Sequence, residues 1–169
     1  TICSGVGLSG SAPKMYTNRA RTLSTALSVI QKEPVGKEMN YAHTEHLVIG
    51  EEAARNGMEE YLDYVERSPE IRLDTNMFLV KGASAQDAMT QVATEKTAAA
   101  DILHFLANDV NKLGLGKVYS CGDVASALAK NGNALVMAIE LEESKELSEN
   151  SAEKMIAPAG YAVLKDGYL

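Results

Sequence analysis

Several groupings of residues in this chain have types and spacings that could do chemistry. Gly5-Val6-Gly7-Leu8-Ser9-Gly10 follows the G-x-G-x-x-G spacing. In that motif a tight turn between a strand and a helix delivers backbone N–H groups to a dinucleotide pyrophosphate. The chemistry requires a strand before the first glycine and a helix after the last. Only four residues precede Gly5, and Ser11-Ala12-Pro13-Lys14 follows Gly10, so the segment reads as a loop. His43, Glu45 and His46 offer nitrogen and oxygen donors for a metal. Helical zinc sites place histidines at i and i+4, whereas strand residues three apart face opposite sides. The two rings therefore diverge and read as surface or core histidines. His104 lies in a helical stretch with no Cys or His one turn away, and reads as a helix-surface residue.

Two Ser-x-x-Lys matches, Ser11 to Lys14 and Ser151 to Lys154, have the spacing of an acyl-transfer motif. That motif opens a helix and works with a Lys-Thr-Gly partner, which this chain lacks. Cys121 stands at a helix start, where the dipole could lower a thiol pKa. With no histidine near it in sequence, it reads as a structural cysteine. No catalytic set, no metal site and no cofactor site is expected, so the chain reads as a non-enzyme. Ser68-Pro69-Glu70-Ile71-Arg72-Leu73-Asp74-Thr75 places charges between a helix end and a strand start. Arg72 and Asp74, two apart at a strand entry, share a face and can pair with each other or with Glu70. The sharper alternative is a surface recognition corner.

The elements that position these residues follow from hydrophobic period and punctuation. Residues 1–18, rich in Gly and Ser, show neither helical nor strand period and read as a flexible arm. From Asn18 the pattern turns helical, with Ala20, Leu23, Ala26, Leu27 and Ile30 on one face, until Pro34 and Gly36. His46-Leu47-Val48-Ile49 ends a buried strand that begins near Ala42. Ala54, Met58, Tyr61, Leu62 and Val65 follow 3.6-residue spacing, with Glu51 and Glu52 favoured at the helix front by its dipole. Met77-Phe78-Leu79-Val80 centres a second strand over 73–81. Ser84 and Asp87 open a short helix, a longer helix carries Ala99, Ile102, Leu103, Leu106, Val110 and Leu113, and Ser120 with Asp123 opens another. Ala134-Leu135-Val136-Met137-Ala138-Ile139 is a third strand. Residues 140–155 carry six Glu against two Lys and read as a solvated loop or exposed helix. A last strand over 160–164 turns at Lys165-Asp166-Gly167 toward a partner beyond Leu169.

Alternating helices and continuously apolar strands predict an α/β domain: a layered sheet with helices packed on it, single and spanning 19–169. The chain has 169 residues, 46% apolar and 23% charged, with a formal net charge of −7. So acidic a balance, with 5% aromatics and no Trp, argues against nucleic acid, whose binding rests on Lys, Arg and stacking rings. No run approaches the roughly 20 apolar residues of a membrane span. No signal peptide is visible at Thr1-Ile2-Cys3. Two cysteines make no disulfide framework.

With the segments in order, a family resemblance emerges. His43-Thr44-Glu45-His46-Leu47-Val48-Ile49-Gly50-Glu51-Glu52, then Gly57-Met58-Glu59-Glu60-Tyr61-Leu62-Asp63, then the 68–75 segment together resemble the Ger(x)C family. These are C-subunit lipoproteins of bacterial spore germinant receptors. The family's pattern falls on His43, Gly50, Glu51, Pro69, Glu70, Arg72, Asp74, Thr75 and Gly82. Thr22-Leu23-Ser24-Thr25-Ala26 is similar to an upstream helix of the family, and the stretch from Gly160 to Leu169 to a downstream strand. Position 46 is His where the family usually has an apolar residue, and the lipobox cysteine is not present.

The resemblance implies the N-terminal domain of a lipid-anchored receptor subunit, truncated at both ends. The whole protein would sit on the outer face of the spore inner membrane and associate with A-type and B-type membrane subunits, this fragment being soluble. The lipid anchor would lie upstream of this chain. The expected function is an interaction and assembly module, with His43, Glu70, Arg72 and Asp74 as its candidate partner surface. The alternative is a small-molecule-binding or enzymatic α/β domain with a cleft at the strand ends.

Overall fold

The computed structural model describes residues 2–6, 14–18, 20–32, 41–93, 98–143 and 154–169. In chain order the elements are β1 (Ile2–Val6), β2 (Lys14–Asn18), α1 (Leu23–Ile30), a 3-10 turn (Tyr41–His43) and β3 (His46–Gly50). Next come α2 (Glu51–Arg55), α3 (Glu59–Arg67), β4 (Asn76–Val80), α4 (Ala85–Val92) and α5 (Ala99–Lys112). The chain then forms α6 (Cys121–Asn131), β5 (Asn133–Glu143) and β6 (Lys154–Lys165).

Four strands form the main sheet in the order β3-β4-β5-β6. β3, β4 and β5 are mutually parallel neighbours, and β6 runs antiparallel to β5. The central strands are apolar where both their faces are covered, over Met77–Val80 and Val136–Ile139. Met77 and Leu79 pack with Ala54, Met58, Leu62 and Val65 of the α2–α3 region and with Cys121 and Val124 of α6. Phe78 and Val80 point the other way, toward Ala88, Met89 and Val92 of α4 and Leu103, Ala107 and Val110 of α5. The result is the expected mixed α/β domain, a sheet between two helical layers.

Helix starts follow local chemistry. Thr22, Ser84 and Ser120 each accept a backbone N–H bond at the head of α1, α4 and α6, and Ser120 with Asp123 completes a reciprocal capping box. Gly132 ends α6 in the left-handed conformation at φ 68°.

Five expectations require correction, the first being the last strand: expected over 160–164 with a partner beyond Leu169, it is β6 (Lys154–Lys165) paired with β5. Where a structureless arm is expected over 1–18, Ile2–Val6 and Lys14–Asn18 pair as an antiparallel two-stranded sheet that lies against α1. The pairing is carried by the main chain, so glycine and serine composition hides it. Gly7 to Pro13 lie outside the described residues. The strand start near Ala42 is a 3-10 turn, and the strand proper begins at His46.

The single helix expected after Gly50 is two, broken where Gly57 takes φ 111° and Met58 N–H bonds to the Gly167 carbonyl at 2.8 Å. The apolar spacing survives because both helices face one layer. The acidic segment is not all loop: Glu140, Leu141, Glu142 and Glu143 complete β5, while Lys154 and Met155 begin β6. Strand pairing with β6 outweighs charge there; Glu142 and Glu143 are exposed, and Glu140 pairs with Lys81. Residues 144–153 lie outside the described residues, as does the Pro34–Gly36 stop.

Candidate functional site

The 68–75 corner is mounted on main-chain bonds. Thr75 Oγ1 donates to the Thr44 carbonyl at 3.0 Å, and Asn76 N–H to the Glu45 carbonyl at 2.9 Å. Cys121 N–H and Gly122 N–H donate to the carbonyls of Thr75 and Leu73 at 2.8 and 2.9 Å. The α6 N-terminus is thereby satisfied by protein carbonyls, and a Cβ at Gly122 would meet Leu73 at 3.2 Å. On this base, Arg72 grips Asp74 through both carboxylate oxygens, Nε to Oδ1 at 2.9 Å. The pairing is the one the spacing allowed, although it sits in a turn before β4 and not on the strand. Asp74 also holds the guanidinium above its ordinary pKa. Leu73 is 50% exposed between the paired charges. Sequence reasoning missed Leu73, since one leucine beside a strand carries no pattern.

Glu70 lies on the adjoining groove, lined also by Leu27, Tyr41, Tyr64, Arg67 and Pro69 and enclosing about 290 Å³. That is just below the roughly 300–1,000 Å³ of small-molecule pockets. Buried Tyr41 forms its floor, its hydroxyl donating to the Leu27 carbonyl at 3.0 Å. Burial, with help from Tyr64 and Glu70, pushes the Tyr41 pKa up to about 12. His43 is exposed on the turn that carries Tyr41, and its neighbour Thr44 is tied to Thr75. No hydrogen bond or ion pair among the described residues joins His43 to Glu70, Arg72 or Asp74.

The strand-end cleft has a definite location. α2 leaves β3 toward one face of the sheet and α4 leaves β4 toward the other. Adjacent strands whose connections diverge leave a crevice beyond their carboxyl ends, where α/β proteins bind ligands. Here the crevice holds a carboxylate of the chain itself. Glu51 Oε2 accepts the Gly82 N–H at 2.9 Å, and Oε1 accepts from Arg55 at 2.7 Å. These bonds hold the Glu51 carboxyl below its ordinary pKa. Lys81 is engaged by Glu140 at 3.0 Å. A Cβ on Gly50 would come within 3.1 Å of the Ala85 backbone nitrogen. At these strand ends Glu51 takes the Gly82 N–H, and Arg55 and Lys81 are each paired with a carboxylate.

A third cluster joins positions far apart in sequence. His46, at the head of β3, has a side chain only 4% exposed and packs edge-on against Phe78, ring centroids 5.8 Å apart. The His104 ring on α5 is 6.5 Å from it, and Glu45 Oε2 lies 3.1 Å from His104 Nδ1. Burial lowers the His46 pKa, Glu45 opposing and His104 assisting. The Ala100 backbone lies near enough to favour the charged form, yet neither ring nitrogen makes a hydrogen bond of acceptable geometry. His43 takes no part in this cluster. His104 is exposed on α5, as its helix-surface reading expects, but Glu45 and His46, remote in sequence, lie beside it at the start of β3.

Cys121 is buried, and burial pushes its thiol up to about 12 despite its place at a helix start. The structural assignment fits that placement. The Gly7 and Gly10 positions of the glycine motif and both serines of the Ser-x-x-Lys matches lie outside the described residues. No helix among the described residues is long and apolar enough to cross a membrane.

Comparison with known proteins adds one match. A family described as the spore germination protein N-terminal domain matches residues 4–141. No curated protein and no solved structure matches the chain.

Proposed function

The chain belongs to the spore germination protein N-terminal domain family, and from that premise we propose that it is a non-enzymatic interaction module of a nutrient germinant receptor. The family match carries this reading, since it spans most of the chain and ties it to spore germination. The 68–75 corner supports the mode of action. Leu73 offers an apolar anchor, the Arg72–Asp74 pair a polar rim, and the braced backbone beneath them costs little ordering entropy on binding. The groove at Glu70 extends the same surface.

The partners we propose are the A-type and B-type membrane subunits of the receptor. A lipid anchor upstream would hold the protein at the outer face of the spore inner membrane, and contacts with the membrane subunits would fix its place in the receptor. The strand ends, where Glu51 already takes the Gly82 N–H, give no comparable support to a ligand-binding or enzymatic reading.

The test is copurification from detergent-solubilised spore membranes of the full-length protein, beside an Arg72→Glu, Leu73→Asp double variant. Wild type should retain the membrane subunits and the variant should lose them, with unchanged circular dichroism. Absence of association in wild type, or equal retention by the variant, would refute the reading at this surface.

A further inference from the structure

We propose that Glu45, His46 and His104 form a binding site for one divalent transition-metal ion of the zinc class, joining the head of β3 to the middle of α5. One donor atom from each of the three side chains lies within 4.8 Å of the other two. Glu45 Oε2 is 3.1 Å from His104 Nδ1 and 3.7 Å from His46 Nε2. A tetrahedral ion with bonds of about 2.0–2.1 Å sets its donors about 3.3 Å apart. Two of the three separations are already close to that value, and Glu45 and His104 are exposed enough to turn through the remainder.

Independent support comes from His46 itself. Its side chain is almost wholly buried, yet both ring nitrogens are without hydrogen-bond partners. A buried polar group left in that condition is uncommon, because it forfeits water without compensation. An apolar side chain would fill the space against Phe78 at no such cost. A metal ion held by His46, with Glu45 and His104 closing over it, satisfies a ring nitrogen that the protein otherwise leaves unpaired.

The donor set selects the ion. Two imidazoles and a carboxylate suit Zn²⁺ and its neighbours Co²⁺, Ni²⁺ and Cu²⁺, whereas Ca²⁺ and Mg²⁺ prefer all-oxygen sets. Three protein ligands leave a fourth position for water. Because β3 and α5 belong to different layers of the domain, the ion would act as a cross-link between them. This site is independent of the proposed partner corner, and either can fail without the other.

The probe is Co²⁺, whose tetrahedral complexes absorb visibly, added to the EDTA-treated 169-residue chain and then displaced by Zn²⁺. One ion per chain should bind, with the visible bands lost on adding Zn²⁺ and retained on adding Mg²⁺. His104→Ala and Glu45→Gln, both at exposed positions, should each weaken Zn²⁺ binding at least about tenfold. His43→Ala should leave it unchanged. No saturable Co²⁺ or Zn²⁺ binding, or binding unaltered in both ligand variants, would overturn the proposal.

Discussion

Two buried titratable groups, Cys121 and Tyr41, set a pH dependence that can be reasoned residue by residue. Both are acids whose neutral forms are favoured by burial, from ordinary values of 9.0 and 10.0 up to about 12. Above those ordinary values the unfolded chain has released protons that the folded chain keeps. The unfolded state then binds fewer protons, so stability falls as pH rises. The decline should begin near pH 9 with Cys121 and steepen near pH 10 as Tyr41 joins. Each group contributes at most about 1.4 kcal/mol per pH unit. Urea midpoints measured from pH 8 to 11 check this. A Cys121→Ala variant should postpone the onset by about one unit, to where Tyr41 begins. A wild-type midpoint that stays constant to pH 11 would contradict it.

Among the elements, those fixed by neighbouring residues were legible and those fixed by distant ones were not. The α6 start is a local matter: Ser120 and Asp123 exchange bonds across one turn, and the same two residues announce the helix in the sequence. Ser120→Ala should cost about 1 kcal/mol by losing the cap. The break between α2 and α3 is the opposite case. Tyr168 stands against Gly57, where a Cβ would lie 3.1 Å from the ring, and Gly167 takes the Met58 N–H. An uninterrupted apolar period cannot reveal contacts made from the far end of the chain. Gly57→Ala, at φ 111°, should therefore cost about 1–2 kcal/mol although alanine favours helix. Denaturant unfolding of the two variants provides the comparison. A Gly57→Ala protein more stable than wild type would mean that the break is not structurally required.

For the whole molecule, the layered fold brings Glu51 at the start of α2 onto the Gly82 N–H just after β4. Nucleotides, sugars and amino acids should produce no saturable rise in melting temperature, because at these strand ends Glu51 already engages the Gly82 N–H and Arg55. A thermal-shift screen tests it, and a saturable nucleotide effect in wild type would restore the ligand-binding reading. Glu51→Gln removes the charge while leaving an acceptor for Gly82, so a nucleotide response gained only in that variant would assign the exclusion to Glu51. The same layered construction braces the 68–75 corner, since α6 and the segment before β3 both bond to it.

What the residues determined unaided is the order of elements from α1 onward apart from the α2–α3 break, the layered α/β class and the charged corner. These follow from short-range rules: capping pairs, continuous apolar strands covered on both faces, and a turn rich in charge. Tertiary structure alone decided that Glu51 would reach the Gly82 N–H 31 residues away, and that Glu45 would meet His104 across 59 residues. It also paired β1 with β2, where the bonding is through a main chain that every residue type shares. The physical reason is common to all three. Periodicity reports which side of an element is covered, but not which other element covers it, and these sites arise only after the layers have closed.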